Sequence, residues 1–258
     1  VTDYALIDES ALPNYIFYPR SDFAPPPVGA FDLFVPVEPD VRVSCRFYIG
    51  DAYWPLILYF HGNGEVVSDY DQIAPFYRQH HLNLVVADYR GYGASSGSPS
   101  LSAMLSDCHR ILATVREEAT RRSIANELWI MGRSLGSLSA LTLASTHRDA
   151  FRGLIIESGF ANILTITVHL GLPLPEGVDM DKIERESIEI VQSVRLRTMI
   201  IHGEYDMLVP LSEAQKLYDH LGSSEKQLLV IAGADHNDIM FTGLNRYFDA
   251  IEKFTGIA

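Results

Sequence analysis

A serine hydroxyl attacks a carbonyl only if a base takes its proton and something receives the charge that forms. Ser134, within Gly132-Arg133-Ser134-Leu135-Gly136, is placed for such chemistry. Strand-like residues Glu127 to Met131 lead into it, and Leu135, Leu138, Leu141 and Ala144 follow at helical spacing. Strand, sharp turn and helix are the setting in which Gly-x-Ser-x-Gly forms a nucleophile elbow. Gly132 and Gly136 remove side chains that would collide with backbone there. The helix N-terminus behind Ser134 favours negative charge, which suits a nucleophile whose attack creates an oxyanion. One such pentapeptide is expected about 0.1 times by chance in a chain of 258 residues, so its partners decide the reading.

His236 is the candidate base, in a short loop of turn-formers Gly233, Asp235 and Asn237 after the last strand-like run. His61 and His202 also stand at strand ends, but each precedes glycine and reads as a structural turn residue. Asp206, at the end of the penultimate strand-like run, is the candidate acid that fixes the imidazole tautomer. The order Ser, Asp, His is the one associated with this elbow. Glu157 is the alternative acid, and Asp235 a weaker one because adjacent residues seldom aim side chains at each other. Two backbone donors are expected for the oxyanion: the N–H of Leu135 and the N–H of Asn63. Gly62 and Gly64 let the Asn63 backbone approach substrate, and that backbone is preferred to the Asn63 side chain. Arg133 is expected to pair with a neighbouring acid and hold the elbow. Glu65 either repels a substrate carboxylate or occupies the first turn of a helix.

These groups need a frame. Phe31 to Val37 and Val41 to Ile49 alternate as half-buried antiparallel strands around the turn Glu38-Pro39-Asp40. Leu56–Phe60, Leu82–Ala87, Glu127–Met131, Leu154–Ile156, Thr198–Ile201 and Gln227–Ile231 follow as further strands, the Leu56 run continuously apolar as in a strand covered on both faces. Helices are expected over Leu101–Ala119, Leu211–Leu221 and Met240–Phe254, and over about 69–80, where Ser68 and Asp71 resemble a capping box and Pro75 makes the helix late, short or broken. Alternating strands and helices predict a mostly parallel sheet wrapped on both faces. Ligands bind at the carboxyl ends of such strands, where Ser134, Asp206, His236 and the His61-Gly62 turn all fall. Residues 160–194 exceed a plain crossover: helical stretches Ala161–Leu170 and Asp179–Val191, split by Gly171-Leu172-Pro173-Leu174-Pro175, read as a small lid. Residues 1–30 interleave aromatics with prolines, which forbid helix and deplete ladder donors, and read as an extended segment laid over a body of residues 31–258.

The net charge of −13 argues against nucleic acid and anionic lipid as partners. Cys45 and Cys108 read as buried reduced thiols, and no Cys/His spacing suits structural zinc. No apolar run is long enough to span a membrane, and the N-terminus carries no apolar signal core. The expected compartment is the cytoplasm, with a removed signal peptide as the open alternative. The sequence does not set the oligomeric state.

His61-Gly62-Asn63-Gly64, the segment Asp88 to Ser95, Gly132-Arg133-Ser134-Leu135-Gly136, Gly203-Glu204-Tyr205-Asp206 and Asp235-His236-Asn237 together resemble the α/β-hydrolase fold family over roughly residues 31–256. The resemblance implies an eight-stranded sheet with its second strand antiparallel, a Ser134/His236/Asp206 triad and a structural strand end at Asp88–Arg90. It is closest to the small-lid esterases, thioesterases and peptidases of that family. The expected activity is cleavage of a carboxylic ester of a small acyl substrate through an acyl-Ser134 intermediate, without metal or cofactor. A thioesterase, a serine peptidase and a ligand-binding member without turnover are the rivals.

Overall fold

The computed structural model describes residues 2–124 and 127–256; Val1 and residues 257 and 258, which the expected boundaries include, lie outside them. Its strands are β1 (Ala30–Glu38), β2 (Val41–Tyr48), β3 (Leu56–Phe60), β4 (Asn83–Ala87), β5 (Leu128–Arg133), β6 (Leu154–Glu157), β7 (Thr198–Gly203) and β8 (Lys226–Ile231). They form one eight-stranded sheet in the order β1-β2-β4-β3-β5-β6-β7-β8. β2 pairs antiparallel with both β1 and β4; every other pairing is parallel.

Side chains of a strand alternate between faces, and β3 shows what this does here. Leu56, Leu58 and Phe60 enter one core, while Ile57 and Tyr59 enter the other. The first core lies beneath α4 (Leu101–Arg121), α5 (Ser137–Thr146), α7 (Met180–Ser193) and α8 (Leu211–His220). The second lies beneath α3 (Ala74–Gln79), α9 (Ile239–Thr242) and α10 (Leu244–Thr255). Both faces are covered, which is why β3 reads as an unbroken apolar run and β4 and β6 are buried along their whole length. Cys45 and Cys108 are free and buried in the first core, where burial pushes both thiols up.

Three local expectations differ from what forms. The N-terminal segment holds two short helices, α1 (Ala5–Asp8) and α2 (Pro13–Ile16). Pro13 occupies the first helical position, where its missing N–H has no partner to lose, so it starts a helix instead of preventing one. The helix expected near 69–80 is late and short, as Pro75 requires: a 3-10 turn, Val67–Asp71, precedes α3 with Pro75 in its first turn, but the expected capping box does not form. Ser68 does not cap it: Asp69 accepts the Val66 N–H at 3.0 Å, while Ser68 donates to Asp22 at 2.8 Å. Asp71 is drawn away by Tyr48 Oη at 2.7 Å and by the buried Arg46 guanidinium. The closing helix divides at Gly243 into α9 and α10. Between β6 and β7 the chain forms α6 (Ile163–His169) and α7, where two helical stretches were expected.

The elbow is packed against backbone. A Cβ at Gly136 would stand 2.1 Å from the Phe60 carbonyl oxygen, and one at Gly132 2.5 Å from the Gly136 carbonyl oxygen. Backbone cannot yield as a flexible side chain can. We expect Gly136→Ala to lower the thermal midpoint by about 6–12 °C, since roughly 3 kcal/mol is the upper end of ordinary overpacking and 1 kcal/mol is worth about 2–4 °C at this size. Differential scanning fluorimetry reads the shift.

Candidate active site

β5 delivers Ser134 into the turn before α5, with backbone φ of +50°, in the left-handed region that L residues rarely adopt. Ser137 Oγ ties the turn down, donating to the Ser134 carbonyl at 2.6 Å. The loop after β8 brings His236 over it, with Nε2 3.0 Å from Ser134 Oγ. The loop after β7 brings Asp206, whose Oδ2 lies 2.7 Å from His236 Nδ1. With the proton on Nδ1, the imidazole donates to Asp206 and accepts from the serine hydroxyl. All three residues are buried.

Asp206 is itself fixed. Its Oδ1 accepts the N–H groups of Leu208 and Val209 at 3.0 and 2.8 Å. Burial pushes its carboxyl up, but the hydrogen bond and charge of His236, with help from Val209 and His202, outweigh burial and leave it below the usual range. The other acids weighed from sequence are engaged elsewhere. Glu157 accepts from Arg133 Nε at 3.1 Å and from Tyr247 Oη, and Asp235 caps its own turn through the N–H of Asn237 at 2.7 Å. His61 and His202 are structural. His61 bridges Gly62 and Asp88, and His202 Nε2 donates to the Val209 carbonyl at 2.8 Å.

Arg133 does what its position suggested, on a larger scale. Its guanidinium meets Glu65 through Nη1 and Glu157 through Nε, and its Nη2 donates to the His236 carbonyl at 2.8 Å and Asn237 Oδ1 at 3.2 Å. Glu65 also accepts the Gly62 N–H and the Tyr70 hydroxyl, each at 2.8 Å. It therefore neither faces substrate nor opens a helix. Burial pushes Glu65 up, but Arg133 and further partners hold it below its ordinary value. Glu157, buried deeper, stays raised despite the same guanidinium.

Ser134 and His236 open onto a cavity of about 500 Å³. Leu135 and Asn63 line it beside them, and apolar side chains of Phe160, Ile163, Ile166, Leu170, Leu208 and Val209 form much of the rest. Tyr15, Ile16 and Tyr18 of the N-terminal segment also line it. Sequence reasoning missed these three: interleaved aromatics and prolines marked a covering segment but not what it covers.

A mostly parallel sheet with one reversed strand, and a serine on an elbow facing a histidine and an aspartate from later strand ends, defines the α/β-hydrolase fold. The chain has the α/β-hydrolase fold, and the proteins it resembles include hydrolases of that type. Residues 54–174 match the Hydrolase_4 family, described as serine aminopeptidase, S33. The chain is 26% identical to the uncharacterized protein YfhR of Escherichia coli K12 over 87% of its own length and 80% of that protein. It is 33% identical to the lysophosphatidylserine lipase ABHD12 of Danio rerio over 67% of its length and 49% of that protein. The Pyrococcus furiosus esterase Pf2001 superposes with a TM-score of 0.71 at 16% identity, covering 93% of this chain and 96% of the esterase. Among the described residues no helix is long and apolar enough to cross a membrane.

Two outcomes follow from these interactions. Arg133→Met strands two carboxylates in the interior and should cost roughly 3–5 kcal/mol of unfolding free energy. Adding Glu157→Gln should recover part of that loss, read as a urea midpoint above that of the single variant. The second outcome concerns acid. Burial pushes His202 below its ordinary value of 6.5. The unfolded chain therefore binds this proton first, and stability falls as pH drops below that value. His202→Gln keeps a donor for Val209 and removes the titration. Its thermal midpoint should fall less steeply between about pH 7 and 5.5 than that of the wild type.

Proposed function

We propose that the protein is a serine hydrolase that cleaves a carboxylic ester through an acyl-Ser134 intermediate. The observation that carries this reading is the hydrogen-bonded row Ser134–His236–Asp206 opening onto an apolar cavity. Ser134 Oγ attacks the ester carbonyl and its proton passes to His236 Nε2. Asp206 holds the imidazolium that results. The carbonyl oxygen takes the negative charge and accepts the N–H groups of Leu135 and Asn63. As the tetrahedral species collapses, His236 returns the proton to the departing alkoxide. Water, activated by the same imidazole, then releases the acid and restores Ser134. In this reading residues 160–194 are the lid, and α6 supplies the apolar wall that receives the acyl group.

The relatives named as esterase and lipase support ester chemistry, and the match to a serine aminopeptidase family supports peptide cleavage as the second reading. The same groups serve both, because only the leaving group differs.

The test is hydrolysis of p-nitrophenyl esters from acetate to dodecanoate beside the matched anilides. Ester turnover with a chain-length optimum supports the proposal, and turnover confined to the anilides shifts it to peptidase. Ser134→Ala should abolish turnover and fluorophosphonate labelling, and Asp206→Asn should lower kcat by about 10⁴. A wild-type protein that ignores fluorophosphonate would be a binding protein.

A further inference from the structure

The loop between β3 and the 3-10 turn carries the Asn63 N–H, yet it is built of residues that prefer no one conformation. Gly62 and Gly64 flank Asn63, and Gly64 has φ of +78°. A donor useful to an oxyanion must be held within about 0.5 Å. Glu65 fixes one side of the loop by accepting the Gly62 N–H at 2.8 Å. The other side is fixed by the N-terminal segment.

Asn63 Oδ1 accepts the Tyr18 N–H at 3.0 Å and the Tyr92 hydroxyl at 2.7 Å, while its Nδ2 donates to the Ile16 carbonyl. The Tyr18 N–H is shared with Tyr92 Oη at 2.9 Å. The next loop residue is gripped as well: the Gly64 carbonyl accepts Arg20 Nε at 3.0 Å. The segment is anchored in turn on the loop after β4. The Arg20 carbonyl accepts the Gly93 N–H at 2.9 Å, and the Gly93 carbonyl accepts the Asp22 N–H at 3.2 Å. The Asn63 amide is therefore occupied as donor and acceptor. Aspartate could accept the same two bonds but has no donor for Ile16, and alanine makes none of them.

We propose that the Asn63 side chain is a positioning group: it latches residues 16–20 onto the glycine-flanked loop and thereby aims the Asn63 N–H at the oxyanion. This rests on the serine-hydrolase reading above. It gives the N-terminal segment a part in turnover, although that segment supplies no group to the proton relay. The latch acts on the charge that appears in the transition state, so its loss reads in kcat more than in KM.

The experiment compares wild type, Asn63→Ala, Asn63→Asp, Tyr92→Phe and Ser134→Ala, well below their thermal midpoints. It follows p-nitrophenyl acetate hydrolysis and inhibition by an alkyl trifluoromethyl ketone. In that inhibitor complex Ser134 Oγ bonds to the ketone carbon, its proton passes to His236, and the carbonyl electron pair becomes the oxyanion. Asn63→Ala is expected to lower kcat by about 10²-fold, the scale of a displaced catalytic group. KM should change by less than about threefold, and ketone inhibition should weaken by the same factor as kcat. Asn63→Asp and Tyr92→Phe should fall between Asn63→Ala and wild type. If Asn63→Ala is insoluble, Tyr92→Phe carries the comparison, because it removes only the two hydrogen bonds of the Tyr92 hydroxyl, to Asn63 Oδ1 and from the Tyr18 N–H, and leaves Asn63 in place. Wild-type kcat and ketone affinity in Asn63→Ala, or in Tyr92→Phe where that variant stands alone, with Ser134→Ala inactive, would overturn the latch and leave the hydrolase reading intact. Turnover that survives in Ser134→Ala would overturn that reading and the latch with it.

Discussion

One buried guanidinium holds this site together. Arg133 follows the elbow glycine and precedes the serine, so it cannot move without moving Ser134. It meets Glu65 of the loop after β3, Glu157 at the end of β6, and the backbone of the His236 loop after β8. Two loops and a strand end are thus referred to one planar, always-charged group. A fork of donors suits this task better than an ammonium, because its directions are fixed and each meets a different partner. The arrangement carries a cost. Two carboxylates and one cation out of water form no strong source of stability, and apolar residues could fill the volume as well. What they give is geometry at the point where several strand ends must agree.

The same logic separates the acids. Glu157 and Asp206 both end strands, and either lies in reach of the site on topology alone. Glu157 is consumed by Arg133 and Tyr247 and sits where burial raises its pKa. Asp206 is surrounded by donors: two backbone N–H groups and His236, with His202 beside it. A carboxylate that receives hydrogen bonds from several sides stays ionised. Only an ionised acid can hold an imidazolium, so local hydrogen bonding assigns the partnership that strand position leaves open.

Much of this was legible in the sequence, and the reason differs from one element to the next. Strands such as β3 and β6 are covered on both faces, so their apolar runs are local signals of a global arrangement. Ser134, Asp206 and His236 each stand at a strand end, and the sheet brings strand ends together whatever the intervening chain does. The misreadings concern residues whose partners lie far along the chain. Asp71 looked like part of a cap until Arg46, 25 residues away, claimed it. Pro13 starts a helix that the prolines of this segment forbid on composition alone, because composition does not say which helical position a proline fills. Glu65 could be placed near the oxyanion loop, but its partner Arg133 is 68 residues on, and no periodicity links them. The Tyr18 contact with Asn63 spans 45 residues and rests on a backbone N–H, which leaves no mark in a sequence at all.

The elbow shows how one steric constraint serves two ends of the chemistry. A non-glycine residue in the left-handed region costs on the order of 1–3 kcal/mol and persists only where its surroundings over-determine it. Here the surroundings are backbone. The elbow presses so closely on β3 that a Cβ at Gly136 would lie 2.1 Å from the Phe60 carbonyl oxygen and 2.8 Å from that of His61. That contact keeps Ser134 at its unfavourable φ. It also sets the amide of Leu135 beside the loop that follows His61, which is where Asn63 lies. The proximity that demands glycine at 136 is therefore the proximity that brings two distant backbone donors to one cavity. A larger residue there would relieve nothing: it would part Ser134 from the two backbone donors that the proposed reaction uses.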